Sequence, residues 1–217
     1  MWKFGTNFFM NKFKLKKKWI FLFLLVGLGI FVSVRWNTWF GNIPEPPYTV
    51  SEAPHRILLT MGNSGENSRI VTWQADTVVK EGALTLCSQK EIARTVKASC
   101  ELVRSRSGKV AFYRVEIKDL SYGEDYRFSV KSGEKSSDTY HFSVPAQSDS
   151  ASFVFMGDVQ EDTARGLSNG IFNTINTRFP NADFWLFGGD LVERPIDDYW
   201  QVTFDDVDTI ATTKTVL

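Results

Sequence analysis

Two short apolar runs, Phe153 to Met156 and Phe184 to Phe187, are each closed by a glycine and an aspartate, Gly157-Asp158 and Gly189-Asp190. A carboxylate that follows a buried strand sits at the strand's carboxyl end, where open α/β sheets place their ligands. Two such ends side by side have the chemistry to hold metal. Between them Leu167, Ile171 and Ile175 recur at four-residue spacing and predict one buried helical stripe, so the unit reads strand, helix, strand. The stretch from Asp158 to Asp190 has the length of one such crossover, about 30 residues.

The charge layout sorts the possible partners. The chain of 217 residues is neutral overall, but residues 1 to 18 carry six lysines and no acid, while residues 151 to 217 carry four basic and eleven acidic residues. Nucleic-acid binders carry their basic face on the folded part, so this distribution argues against nucleic acid as a partner. It fits a membrane signal at one end and cations at the other. A 43% share of hydrophobic residues, with seven tryptophans, suffices for a buried core.

Residues 1–40 stand apart from the fold. Lys12, Lys14, Lys16, Lys17 and Lys18 precede an uncharged run from Trp19 to Val34, which Arg35 ends. The run is slightly shorter than the usual span of about 20 residues, and flanking Trp and Lys extend it into the interfaces. Signal peptide and signal anchor are both open. A cut at Gly27-Leu28-Gly29 would fall inside the apolar run, and Trp36 and Trp39 have the character of interfacial anchors, which favours an uncleaved anchor through residues 19–34. The lysines then stay in the cytoplasm and the rest lies outside it, periplasmic or extracellular, or secreted if the signal is cleaved. Met10, directly before Asn11 and the lysines, is an alternative start.

Residues 41–50 form a linker, stiffened by Pro44, Pro46 and Pro47. From 51 to 147 the runs alternate with period two between turn residues: Arg56 to Thr60, Arg69 to Gln74, Ala83 to Cys87, Ala111 to Ile117, Tyr126 to Lys131 and Thr139 to Val144. One face of the last three holds Tyr113, Val115 and Ile117, then Tyr126, Phe128 and Val130, then Tyr140, Phe142 and Val144. Antiparallel sheets with one buried face have this pattern, and about seven short strands in about 100 residues point to an all-β sandwich.

Trp73, with Leu120-Ser121-Tyr122-Gly123-Glu124-Asp125-Tyr126, resembles the fibronectin type III pattern, in which a tyrosine buries its ring at a corner and bonds its hydroxyl to nearby backbone. Trp73 and Tyr126 are therefore expected in the core rather than on a ligand platform. Cys87 and Cys100, the only cysteines, allow either a disulfide or two separate thiols, and without further Cys or a His pair they make no metal site. His55 and His141 are both expected on solvated faces, so histidine catalysis within the chain is unsupported.

After the polar joint Ala146 to Ser150, the order of a fibronectin-like domain, Phe155-Met156-Gly157-Asp158-Val159-Gln160 and Phe187-Gly188-Gly189-Asp190-Leu191-Val192-Glu193 resembles the purple acid phosphatase group of the calcineurin-like metallophosphoesterases. The resemblance covers roughly residues 46–217. It implies that 151–217 is the first part of an α/β metallophosphoesterase domain, that Asp158 ligates one metal and that Asp190 bridges two. It further implies a phosphoester small-molecule substrate and a pair of divalent or iron/divalent ions (Fe, Zn, Mn or Mg). Two cations about 3.5–4 Å apart orient a phosphate, acidify a bound water and stabilise the attacking and leaving oxygens. Gly157, Gly188 and Gly189 then serve tight turns and close backbone approach.

Two positions depart from that pattern. Many relatives carry a histidine ligand where this chain has Gln160, a neutral oxygen donor and a weak ligand. The purple enzymes carry a tyrosine where this chain has Glu193, so no iron charge-transfer colour is expected and a plain divalent pair is favoured. The family next needs an Asn-His motif and further histidines, and no His follows residue 141. Tyr199, Trp200, Phe204, Val207 and Ile210 recur at helical spacing and Ala211 to Leu217 has the character of an approach to a third strand. The chain thus reads as a fragment, inactive alone, whose two or three parallel strands leave an open edge and little cover. The rival reading is a membrane-anchored fibronectin-like interaction module without catalysis. A nucleotide-binding α/β unit is disfavoured because no glycine-rich phosphate cradle follows Asp158.

Overall fold

A computed structural model of the chain describes residues 17–41, 47, 50–90, 92–105, 108–160 and 167–217. It separates into two compact units, Met1–Pro44 and Glu45–Leu217. The first contains α1, Lys17–Phe40, a helix of 24 residues with none of them buried. At 1.5 Å per residue this helix is about 36 Å long, more than the ~30 Å hydrocarbon core of a bilayer. It runs through Arg35 and so exceeds the uncharged stretch read from the sequence. Phe31 meets Trp39 at 5.6 Å and Trp36 meets Phe40 at 4.7 Å, an aromatic cluster at the helix's carboxyl end. Among the described residues it is the one helix long and apolar enough to cross a membrane. Lys12, Lys14 and Lys16, and most of the proline-rich linker, lie outside the described residues.

The second unit begins with nine strands: β1 His55–Met61, β2 Arg69–Ala75, β3 Gly82–Ser88, β4 Arg94–Lys97, β5 Ser99–Ser105, β6 Gly108–Ile117, β7 Asp125–Ser132, β8 Lys135–Ser136 and β9 Tyr140–Ser143. The six periodic runs all appear among them. Antiparallel pairing joins β1, β2, β6 and β5 in one sheet, and β4, β3, β7 and β9 in another, with β8 at the β7 hairpin. The inward residues of the two sheets meet in one core that includes Leu59, Val71, Trp73, Leu84, Tyr113, Val115, Tyr126, Phe128 and Phe142. Strands β4 and β5 escape the periodic reading because both lie at sheet edges, where no β4 residue is buried, Val103 of β5 is exposed and Cys100 and Leu102 are half-buried, so the apolar alternation is weak.

Trp73 is fully buried, lies flat on Tyr113 at 5.3 Å, and donates its indole N–H to Ser132 Oγ at 2.8 Å. The Tyr126 hydroxyl accepts from Ser121 N at 2.9 Å, closing the corner as its position in the sequence implied. Tyr126→Phe removes this bond and leaves the Ser121 N–H without it, an expected cost of about 1 kcal/mol read as a lowered midpoint in urea with unchanged slope. Cys87 and Cys100 are both free thiols, on β3 and β5 of opposite sheets, so they do not lie on neighbouring strands.

The remaining residues form β10 Phe153–Met156, α2 Leu167–Arg178, β11 Phe184–Phe187, α3 Asp197–Thr213 and β12 Thr215–Val216. The three strands are mutually parallel, in the order β10, β11, β12. Val154, Met156, Trp185, Phe187 and Val216 pack with Phe172 and Ile175 of α2 and with Val207, Ile210 and Ala211 of α3. Of the expected helical stripe, Ile175 packs inward, the Leu167 side chain lies outside the described residues, and Ile171 departs. Ile171 is 46% exposed, whereas Ser168 and Phe172 are buried, so the inward face is turned by about one residue and the Phe172 ring fills the space against Trp185 at 6.2 Å. Ala211 to Thr213 belong to α3 rather than to an approach to β12.

The expectation of an open edge is half corrected. Strand β12 pairs on its far side with β1, parallel, with Thr60 opposite Val216, so one seven-stranded sheet runs from β10 to β5. Leu58 joins the helix-side cluster while Ile57 and Leu59 face the sandwich core. The continuous run Ile57-Leu58-Leu59 is therefore a strand covered on both faces. The other edge, β10, has no further strand among the described residues, and Phe153 and Phe155 are more than half exposed.

Candidate functional site

The two Gly-Asp corners lie side by side at the carboxyl ends of β10 and β11. Asp158 N donates to Gly189 O at 3.3 Å and Gln160 N to Asp190 O at 3.1 Å, so backbone bonds tie one corner to the other. Below them Gly188 N donates to Met156 O at 2.7 Å, and the third strand is stitched on by Phe187 N to Leu217 O at 3.0 Å and Leu217 N to Trp185 O at 2.8 Å.

Both aspartates take the left-handed backbone region, Asp158 at φ 58° and Asp190 at φ 50°. Aspartate tolerates this conformation better than most residues, and such positions concentrate at functional turns. The glycines divide by role. Gly189 has φ 116°, which an L side chain rarely adopts, and a Cβ at Gly188 would lie 2.6 Å from the Phe155 ring. At Gly157 a Cβ would meet nothing within 4 Å, so the expected steric requirement does not hold there.

Asp158, Asp190 and Glu193 are exposed, and Gln160 is half-buried. The Gln160 carboxamide donates from Nε2 to Asp158 Oδ1 at 2.9 Å, which orients that carboxylate. Its Oε1 is buried with no hydrogen-bond partner. Oxygen donors in this arrangement suit a hard cation, and an orphaned acceptor next to a carboxylate is the feature a cation would satisfy. Among the described residues no cluster of three or more His, Cys, Asp or Glu side chains is arranged to hold a metal ion. The histidines belong to the sandwich. His141 is exposed on β9. His55 differs from the solvated position expected of it: it is half-buried and donates from Nδ1 to Ala53 O at 3.2 Å. Burial pushes its pKa down, a shift that the Ala53 hydrogen bond opposes and the nearby Arg56 charge reinforces.

Two arginines that the sequence reading passed over attach the parallel strands to the sandwich. Arg56, in β1 at φ 49°, forms an ion pair with Asp197 at 2.6 Å and donates to Gln201 Oε1 at 2.9 Å, both on α3. Arg69, in β2, is 1% exposed and donates from Nε to Thr215 Oγ1 at 2.8 Å and from Nη1 to the Glu66 and Ser68 carbonyls. Burial lowers its pKa. The loop after Asp190 is held as well, since Thr203 Oγ1 of α3 donates to Leu191 O at 3.0 Å.

The sandwich has a recognisable relative. Residues 54–144 match the family described as purple acid phosphatase, N-terminal domain. Among solved structures, a purple acid phosphatase isolated from seeds of yellow lupin (Lupinus luteus) aligns with 78% of this chain and 35% of its own, at 17% identity and a TM-score of 0.61. A structure of PhoD aligns with 81% of this chain and 39% of its own, at 12% identity and a TM-score of 0.47. At 17% identity the likeness to the lupin structure is one of fold, and the chain spans about a third of that structure's length. No curated protein sequence matches the chain. The sandwich is thus a purple acid phosphatase-like N-terminal domain.

Proposed function

We propose, from a sandwich that matches the purple acid phosphatase N-terminal domain, that residues 151–217 are the first part of a calcineurin-like metallophosphoesterase domain. The whole protein is then a metal-dependent hydrolase of small-molecule phosphoesters. The observation that carries this reading is the pair of left-handed aspartates, Asp158 and Asp190, bonded backbone to backbone at the ends of adjacent parallel strands. The likeness to the lupin phosphatase supports it, because its 78% coverage of the chain exceeds the sandwich alone.

Asp158 and Asp190 would hold the metal, with the orphaned Gln160 oxygen as a neutral third donor. The ions, when bound, supply Lewis-acid activation of a water and charge neutralisation of the phosphate. This chain's own residues do the positioning. Gln160 Nε2 fixes the Asp158 carboxylate, Gly188 and Gly189 let the second corner fold close to β10, and Arg56, Arg69 and Thr203 hold the strand ends to the rest of the fold. Two carboxylates and one carboxamide are fewer donors than two ions need, which agrees with weak binding and no turnover by these residues alone. Residues 51–147 are the sandwich domain, and α1 is the membrane anchor, with the folded part outside the cytoplasm.

The test uses the full 217-residue chain in detergent micelles. Mn²⁺ is expected to bind and to be weakened at least about tenfold, some 1.4 kcal/mol, by Asp158→Asn with Asp190→Asn. Calorimetry or Mn²⁺ EPR reads this directly. The same chain is expected to hydrolyse p-nitrophenyl phosphate no faster than the double variant. Mn²⁺ affinity indifferent to both substitutions sinks the site assignment, and a metal-dependent excess of the wild-type rate shows that the donor set is sufficient after all.

A further inference from the structure

A cleft of about 720 Å³ lies between the outward face of β7 and β9 and the helices α2 and α3. It sits by Lys214, just before β12, and by Asn176, near the carboxyl end of α2, at the amino ends of the parallel strands. The Gly-Asp corners are at the opposite, carboxyl ends. Small-molecule sites are commonly clefts of about 300–1,000 Å³ at the junction of two structural parts, with a few converging polar groups.

The polar groups here have unmet capacity. Arg127 and His141 stand directly opposite each other across β7 and β9, and their side chains make no hydrogen bond or ion pair among the described residues. Two adjacent side chains with unengaged N–H donors leave those donors free for an anion. Lys214 donates to the Pro180 carbonyl and has no carboxylate partner among the described residues. Burial lowers its pKa. Asp125, the one acid in the lining, already accepts the Ser143 hydroxyl at 2.5 Å. On the facing wall the Asn176 carboxamide oxygen is buried with no donor. Satisfying it takes a donor such as a hydroxyl, which a fully deprotonated inorganic anion such as sulfate lacks.

We infer that this cleft binds a small hydroxylated anion, a sugar or polyol bearing one phosphate or carboxylate. The charged group lies toward Arg127, His141 and Lys214, and a hydroxyl toward Asn176. The site requires no metal and does not depend on the function proposed for Asp158 and Asp190.

The full chain in detergent micelles is titrated with glucose 6-phosphate, glucuronate, glucose and sulfate, and binding is read by calorimetry. At least one of the two sugar anions is expected to bind, with glucose and sulfate each weaker by about tenfold or more. Which sugar anion binds tells whether the charge is phosphate or carboxylate. Arg127→Gln with Lys214→Gln is expected to weaken the bound anion by about tenfold or more, and Asn176→Leu to erase its advantage over sulfate. Asp158→Asn with Asp190→Asn is expected to leave it unchanged, which separates this site from the corners. Arg127 is exposed, so Arg127→Gln alone is the variant whose folding is secure, and an unchanged thermal midpoint verifies it. The inference is overturned by any of four results: neither sugar anion binds at millimolar concentration, sulfate alone binds as tightly, Arg127→Gln changes nothing, or the aspartate variant abolishes binding.

Discussion

Trp73→Ala is expected to lower the stability of the sandwich by about 3–5 kcal/mol, a large share of the roughly 5–15 kcal/mol that holds an ordinary domain together. Three losses combine. The indole is fully buried between the two sheets, so its removal leaves a large cavity. Its stacking on Tyr113 disappears. The Ser132 hydroxyl, in a residue only 1% exposed, loses its donor. Trp73→Phe keeps most of the volume and the stacking, so it separates the parts: it is expected to cost about half as much. Urea denaturation of the full chain in micelles measures both. A cost below about 1 kcal/mol for Trp73→Ala would place Trp73 outside the core.

The second large effect is expected at Arg56→Met. Asp197, whose side chain is 11% exposed, then keeps its carboxylate with no cation beside it, and breaking a buried pair from one side costs about 3–5 kcal/mol. Gln201 loses its donor at the same time. The loss should be local in origin: hydrogen exchange should accelerate along α3 and β12 before it does in β2, β6 or β7. Pairing Arg56→Met with Asp197→Leu removes the stranded charge and is expected to restore more than half of the loss. Equal protection of α3 in wild type and Arg56→Met would show that the ion pair contributes nothing to holding the helix.

What the sequence revealed depended on how local the physics was. The strands with one buried face were legible from alternation alone, because Tyr113, Val115 and Ile117 report their own burial. The Gly-Asp corners were legible because the left-handed turn selects its residues locally. The inward face of α2 was misplaced by a residue, since Ile171 and Phe172 are both apolar and only the packing against Trp185 decides between them. The arginine attachments were invisible for a different reason. Arg56 and Arg69 sit on strands at positions where a solvated arginine is common, and their partners Asp197 and Thr215 lie at the far end of the chain. The continuous run Ile57-Leu58-Leu59 was the available sign that β1 is covered on both sides.

That double cover dictates an order of assembly. The pairing of Thr60 with Val216 closes a loop that contains nearly the whole folded unit, and the entropy of closing a loop that long is lost before the contact returns anything. The β1–β2 and β2–β6 pairings close much shorter loops. The sandwich is therefore free to form while the later strands are still unstructured, and it then presents the edge of β1 as a template. On a ribosome, where residues 55–144 emerge before β10 to β12, β12 docks onto a surface already built.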